Sequence, residues 1–556
     1  MKMNKLFLIF CAALLLGGCQ STGKTAVKPE YQPLNYTEAD AIRAELERVE
    51  KRLAEKPVEA LWRSALMRNI FRSSGADDAL SGEIEALFAR CADTVSARCA
   101  AAAADSKYMD ALRYYRALKT VESPAFNALP YSEAGLTEKL MAGVPGSGTQ
   151  KPSGTAPTMA AYINGTVTVW VDKGIKVENG MGYADAALGS GFFIDRQGFI
   201  ITNHHVIQPE VDPKYEGFSR LYVKLAQDPD TKIPAKVVGW DPILDLALLK
   251  AEVDAPYVFT LGSSTELDPG DRVFAIGSPL GLDKTLTSGI VSAVNRKLFS
   301  VGGVMQIDAA VNSGNSGGPL IDSAGNVQAV VFAGMLKYQG LNFAIPVEYL
   351  IATLPQLAQG GKRGQSWIGG YGRTWRDGEV SGVEVQYVLP GGSAARSSIA
   401  AGDIITAINS QAALRLEDLQ NALILLPPDS IVKLDGLRAD GTAFSVPVYL
   451  ENRPVNPGLD VYERDVIASA FTPIFGMELT PISAAVRKQY SVARILKGSI
   501  ADESGFSVQD PVDVLRVRIS KEKDLIYAEL YTKKRKNGYF DVNIAIGAPL
   551  DSPWYF

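Results

Sequence analysis

Histidine is almost absent from this chain: there are two in 556 residues, side by side in the segment GFIITNHHVI as His204 and His205. Imidazole chemistry is therefore confined to one place. Cysteine is also scarce, with four in the whole sequence, at 11, 19, 91 and 99. Metal sites need clusters of His, Cys or carboxylate ligands at fixed spacing, and no Cys/His cluster of that kind exists beyond residue 99, so neither a metal nor a cofactor is expected. A basic surplus is missing as well. Lys and Arg number 56 against 61 Asp and Glu, a net charge of -5, which gives no electrostatic footprint for a nucleic acid partner. After the first twenty residues no apolar run approaches the roughly 18 residues of a membrane-spanning helix. What remains is ordinary globular composition, 47% hydrophobic and 21% charged, in a chain long enough for three or four domains.

The start of the chain is the one strongly apolar stretch. Lys2 and Lys5 precede a run from Leu6 to Leu16 that is too short for a comfortable span and reads as an export signal. Its end, Leu16-Gly17-Gly18-Cys19, resembles a bacterial lipoprotein signal. On that reading residues 1–18 are removed, Cys19 becomes the lipidated first residue, and 19–36 form a tether; a plain signal with an incidental cysteine is the other reading. Gln20 in place of Asp after Cys19 leans toward the outer membrane of a Gram-negative envelope.

Cys91 and Cys99 would then remain in an oxidising compartment. On one unbroken helix eight residues rise about 12 Å, while bridged Cα atoms must lie within about 7 Å. A Cys91–Cys99 disulfide therefore requires a turn between them. We expect such a bridge clamping a helix-turn-helix corner, the alternative being two separate buried thiols.

Residues 37–124 carry helical periodicity. Thr37-Glu-Ala-Asp40 resembles a capping box, and Ile42, Leu46, Val49 and Leu53 follow on one stripe. Pro57 breaks that run, Leu61 to Ile70 begin another, and Ala100–Ala104 and Tyr108–Leu118 suggest two more. This is an α-helical hairpin bundle, faintly like tetratricopeptide-type repeats but without a clear second copy. Residues 125–157, with GVPGSGTQKPSGTAP, have linker composition. From 158 to 358 short β-type runs replace the helical period: TVTVWV, GSGFFID, FIITN, LYVKL, DLALLK, RVFAIG, SGIVSAV and VQAVVF. Regular turn signals between them suggest an all-β barrel or sandwich.

Within that β region the stretch DAAVNSGNSGGPL sets Ser316 among glycines, where a core would carry apolar side chains. A serine hydroxyl needs a neighbouring base to become a nucleophile, and histidine is the usual one near neutral pH. Both histidines precede Ser316, so the Ser, acid, His order of an α/β-hydrolase is excluded if Ser316 is the nucleophile. The chymotrypsin order is His, Asp, Ser, and Asp245 in DPILDLALLK stands between them at the head of an apolar strand. A buried carboxylate needs a partner, and an imidazole N–H is a fitting one.

These residues resemble trypsin-like peptidases, specifically the HtrA/Deg family of bacterial envelope proteases. The likeness runs from about Thr166 to Leu350 through LGSGFFIDRQGFIITNHHVI, DPILDLALLK, VFAIGSPLGLDKTLTSGIVSAVNR, IDAAVNSGNSGGPLIDSAGNVQAVV and GLNFAIPVEYL. It implies a double-barrel protease fold. It also implies Ser316 as nucleophile, His205 as general base and then acid, and Asp245 as the group that orients His205. His205, not His204, directly precedes Val206 as the family pattern requires, so His204 is read as a bystander. The backbone N–H groups of Gly314 and Ser316 are the implied oxyanion hole. Asn315 leaves no carboxylate there to pair with a new amino terminus, so activation by clipping is not expected; loops near Leu282–Thr287 and Lys337–Asn342 are the implied regulators. Leu341, Asn342 and Phe343 are the implied specificity pocket. With no Asp among them, a small or medium aliphatic side chain is the expected preference.

Residues 364–452 resemble a PDZ domain of the bacterial protease type, through Gly402-Asp403-Ile404-Ile405 and the turn Pro390–Ser393. Such domains add a peptide as a strand and hold its carboxylate with backbone N–H groups. Ile368 and Gly369 are the candidate carboxylate loop, although Gly370 stands where an apolar wall is usual. Residues 464–548 look like a second, degenerate copy with Phe475 and Gly476 as its loop and Asp510-Pro511 in place of Gly-Asp. The run Lys533–Lys536 is read as a solvated hairpin tip.

The expected whole is multidomain: a helical bundle, an all-β double-barrel protease and two α+β PDZ-like domains. The expected function is an extracytoplasmic serine endopeptidase acting on unfolded or damaged envelope proteins and C-terminal peptides. It would be tethered through Cys19, regulated by PDZ modules and homo-oligomeric, a trimer by family resemblance. The alternatives are a mostly latent protease serving as chaperone or scaffold, and a regulatory protease with one dedicated substrate.

Overall fold

A computed structural model describes residues 39–74, 78–146, 158–178, 180–213, 219–278, 285–296, 302–312, 314–334, 341–378, 380–482, 489–520, 524–535 and 539–556. The export signal and Cys19 lie outside these residues, as do parts of both candidate regulatory loops and Lys536.

The helical region is α1 (Ala39–Arg52), α2 (Pro57–Ser74), α3 (Asp78–Ala104), α4 (Tyr108–Thr120) and α5 (Glu133–Ala142). α5 falls within the stretch expected to be linker. Ser132 caps it by accepting from Gly135 N, and Leu136 anchors it in the core, so local capping overrides the surrounding Gly and Pro. α3 corrects the disulfide expectation. It runs unbroken through Cys91 and Cys99, both of which are buried and free, because no turn brings them within bridging distance. The bundle is not a separate unit either. Trp62 stacks on Tyr449 with ring centroids 5.5 Å apart and donates to Pro447 O at 2.9 Å.

After α6 (Met159–Asn164), the β region folds as two barrels. The first uses β1 (Thr166–Glu178), β2 (Met181–Phe193), β3 (Phe199–Thr202), β4 (Arg220–Leu225), β5 (Ile233–Asp241) and β6 (Leu246–Ala251), in the order β5-β4-β1-β2-β3-β6, closed by β5 on β6. The second uses β7 (Arg272–Gly277), β8 (Thr285–Arg296), β9 (Val304–Ile307), β10 (Pro319–Ile321), β11 (Val327–Gly334) and β12 (Asn342–Pro346), closed in the order β10-β11-β12-β9-β8-β7. Alternating apolar residues fill each interior: Val167, Val169 and Val171 in the first, Val273, Val291 and Val331 in the second, all fully buried. One helix of the first barrel, α7 (His204–Val211), starts at the two histidines.

α8 (Val347–Gln359) leaves the second barrel, and β13 (Gly361–Lys362) adds to β5 in parallel. Arg363 follows and is buried. It pairs with the fully buried Asp241 at 2.6 Å and also bonds Gln356 and the Ile424 carbonyl. That one side chain ties the first barrel to the next domain.

The first PDZ domain comprises β14 (Ser366–Trp367), β15 (Gly370–Asp377), β16 (Val380–Val388), α9 (Ser393–Arg396), β17 (Ile404–Ile408), β18 (Gln411–Ala412), α10 (Leu416–Leu425), β19 (Ile431–Leu437), β20 (Ala443–Tyr449) and β21 (Glu451–Asn452). The second contains α11 (Pro457–Arg464), α12 (Ile467–Phe475), β22 (Met477–Pro481), β23 (Gln489–Ile495), α13 (Ile500–Glu503), β24 (Pro511–Ser520), β25 (Leu525–Arg535) and β26 (Tyr539–Pro549). Its sheet repeats the first domain's antiparallel order. Only four residues separate β24 from β25, however, so the helix corresponding to α10 is lacking.

Candidate active site

The site lies where the two barrels meet. Asn203 caps α7, whose first turn carries His204 and His205. Asp245 sits just before β6 in a left-handed conformation, φ +56°, and its oxygens converge on that turn. Oδ1 accepts from His205 N at 2.8 Å, Oδ2 meets His205 Nδ1 at 2.7 Å, and the Asp245 carbonyl accepts from His204 N at 3.2 Å and Asn203 Nδ2 at 2.8 Å. A carboxylate on Nδ1 fixes the tautomer with a free basic Nε2. Asp245 is mostly buried, while the His205 ring is 45% exposed.

Ser316 arrives from the opposite barrel, in the turn before β10. Gly314 has φ +104° and Gly317 φ +85°, backbone that glycine adopts without strain. A side chain at Gly317 would collide with Ser190 O and Thr202 Oγ1, so the nucleophile turn is pressed directly against the first barrel. Gly189 lies between Val206, next to His205, and the Ser316 carbonyl. His205 and Asp245 are thus paired, and the turn that carries Ser316 packs against the β2 residues beside Val206. The Ser316 hydroxyl donates to Phe332 O at 3.1 Å, so in this geometry its proton is directed to β11.

Among the described residues, neither Gly314 N nor Ser316 N donates to another group of the chain, whereas Asn315 N bonds Asn312 O and Gly317 N bonds Val331 O. Two unused donors therefore flank the nucleophile. Asn315 is buried, its Oδ1 packed near Gly277 without a donor.

Sequence reasoning missed Ser190. Its hydroxyl donates to Gly314 O at 2.6 Å and accepts from Ser278 N at 2.9 Å, while its own N–H donates to Ser316 O at 2.7 Å and its carbonyl accepts from Thr202 Oγ1 at 2.7 Å. Fully buried, it joins both barrels to the nucleophile turn. The signal was a serine between glycines inside an apolar strand, GSGFF.

The remaining candidates are placed as follows. Asn342 is buried in β12 and donates to Ala309 O at 2.7 Å, and the ring of Phe343 lies 6.4 Å from that of Phe332. Leu341 packs at the edge of the inter-barrel core. Burial pushes His204 below its ordinary value, against the pull of Asp245 and Asp241. Ile368 is fully buried and Gly369 has φ +81° at the head of β15. Phe475 and Gly476 end α12 as a closed left-handed cap, where any side chain at Gly476 would strike Ser499.

Family comparisons follow the same divisions. A trypsin-like peptidase domain matches residues 189–330, a PDZ domain 384–438, a TP0546 family PDZ domain 458–550, and a domain of unknown function 40–140. The fold and site define a trypsin-like serine peptidase joined to PDZ domains. The chain belongs to the HtrA/Deg family: it is 30% identical over 358 residues to a probable periplasmic serine endoprotease DegP-like of Chlamydia pneumoniae, covering 61% of this chain and 70% of the relative. A protein of the same description from a Marinomonas species is 35% identical over 285 residues, 49% of this chain and 58% of the relative. The chain thus spans about three fifths of such curated relatives. The solved structure of the HtrA-type protease AlgW with decapeptide is 26% identical, with TM-score 0.45, covering 54% of this chain and 99% of that one.

Proposed function

We propose that the chain is an exported serine endopeptidase that cuts extended segments of unfolded envelope proteins through an acyl-enzyme. The observation that carries this reading is the doubly held His205, together with a serine in a glycine turn where, among the described residues, Gly314 N–H and Ser316 N–H have no acceptor within the chain. A rotation of Ser316 about Cα–Cβ moves its hydroxyl from Phe332 O toward His205 Nε2. Nε2 takes the proton as Oγ attacks the scissile carbonyl, and Gly314 N–H and Ser316 N–H receive the oxyanion. Asp245 holds the Nδ1 proton and stabilises the imidazolium. His205 then protonates the leaving amine, and water, activated by the same Nε2, hydrolyses the ester. Leu341, Asn342 and Phe343 carry no charge, which suits an uncharged side chain before the scissile bond.

The relatives are named periplasmic, in keeping with removal of residues 1–18 and lipidation of Cys19. Attachment to the outer membrane, assembly as a homo-oligomer and regulation through the PDZ domains belong to the same proposal. The test is casein turnover by the soluble chain starting after Cys19, beside Ser316→Ala and His204→Ala. Cleavage by the first and third but not the second supports the reading. Cleavage by Ser316→Ala, or loss in His204→Ala at unchanged stability, overturns the assignment.

A further inference from the structure

Residues 552–556, Ser-Pro-Trp-Tyr-Phe, leave the second PDZ domain after β26 and lie in the first, between β15 and α10. They run antiparallel to β15. Gly370 N donates to Phe556 O at 3.0 Å, Phe556 N to Gly370 O at 3.0 Å and Gly372 N to Trp554 O at 3.1 Å, and Tyr371 bridges Tyr555. From the opposite wall, Gln420 of α10 donates to both Pro553 O and Tyr555 O at 2.9 Å. The Phe556 ring is 3% exposed, in one cluster with Ile368, Leu419 and Leu423. Arg373 stacks 4.7 Å over the Trp554 ring. A methyl at Gly370 would overlap the Phe556 ring, and its three nearest atoms all belong to that ring. The apolar wall missing from this loop is therefore the space that Phe556 fills.

Strand addition at β15, a buried anchor side chain and a clamp from the groove helix are the means by which a PDZ domain takes an extended peptide. We propose that residues 552–556 are a resident ligand of the first PDZ groove. An extended peptide from outside would then bind this groove only by displacing that segment. A tethered ligand competes at an effective concentration of order 1 mM. A peptide with intrinsic Kd near 10 μM would then bind the intact chain about 100-fold more weakly than the emptied groove. The proposal does not rest on peptidase activity, since binding is read with the nucleophile removed.

The experiment is fluorescence anisotropy of an N-terminally labelled Ser-Pro-Trp-Tyr-Phe peptide on the soluble Ser316→Ala chain. Versions ending at Asp551 and carrying Phe556→Ala are compared with it. Both are expected to bind at least about 10-fold more tightly than the chain with residues 552–556 intact. Should the shortened chain not fold, Phe556→Ala decides alone. Gly370→Val added to either emptied version should abolish binding, and a peptide ending in Ser instead of Phe should bind at least about 10-fold more weakly. Equal affinity of intact and emptied chains overturns the resident-ligand proposal. Insensitivity to Gly370→Val overturns the groove, and equal binding of the Ser-ended peptide overturns the anchoring role of the Phe556 ring.

Discussion

Asp245 grips His205 twice, taking its backbone N–H on Oδ1 and its ring Nδ1 on Oδ2. One carboxylate therefore fixes both where the imidazole starts from the helix and which way it faces. Asp245→Asn keeps the shape but turns an acceptor into a donor, favouring the tautomer whose Nε2 carries the proton. The expected loss is about 10⁴-fold in kcat with little change in KM. Single-turnover kinetics with a chromogenic ester check it; a loss below tenfold would show that Asp245 is not the orienting acid.

Ser190→Ala should lower kcat about tenfold while leaving KM within a factor of two. Its hydroxyl holds the Gly314 carbonyl at 2.6 Å and so fixes the Gly314–Asn315 peptide, which lies between the peptides that carry the Gly314 and Ser316 N–H groups. Loss of a buried hydrogen-bonding group also costs about 1–3 kcal/mol of stability. The split between kcat and KM separates positioning from simple unfolding. Equal changes in both, or none in kcat, argue against the role.

Much of this site was legible because its chemistry is sparse. Two adjacent histidines, one serine among glycines and one carboxylate opening an apolar strand leave few ways to combine. The relation of Ser190 to Gly314 crosses from one barrel to the other, and no local pattern encodes it. The same is true of Phe556 and Gly370, far apart in sequence: the missing apolar wall was readable, its cause was not. Cys91 and Cys99 failed for another reason. The requirement for a turn was correct, but the surrounding alanine-rich stretch propagates helix straight through. α5 was masked by neighbouring Gly and Pro, although Ser132 is an ordinary helix cap.

The two thiols yield a direct check. Burial pushes both Cys91 and Cys99 up to about 11, so neither is a ready thiolate at neutral pH. In the soluble chain starting after Cys19, Ellman's reagent should find no fast-reacting thiol in the native protein and two after denaturation, without reductant. Zero in denaturant would mean that a disulfide forms after all.

Arg363→Met should destabilise the chain by about 3–5 kcal/mol, because it strands the Asp241 carboxylate in a site with no access to water. Urea unfolding of the Ser316→Ala chain measures it. Asp241→Asn added to Arg363→Met should recover part of the loss, since the amide no longer needs a cation. Additive losses from the two changes would mean that the pair is not coupled.

His204 sets a pH dependence of known sign. Burial is the main cause of its lowered value; His205 and Lys362 add to it, while Asp245 and Asp241 oppose it. The unfolded chain titrates near 6.5 and the folded chain below that, so between the two values the unfolded state holds more protons. Stability therefore rises with pH across this window. The contribution is intact above about 6.5 and is lost as pH falls through the folded value. His204→Gln removes the titrating group and should flatten the stability profile between about pH 7 and pH 5 relative to its parent. Both would carry Ser316→Ala, so that self-cleavage does not distort the unfolding curves. The difference between the two curves reads the contribution of the His204 ring. An unchanged slope would mean that the half-buried ring takes its proton as readily folded as unfolded.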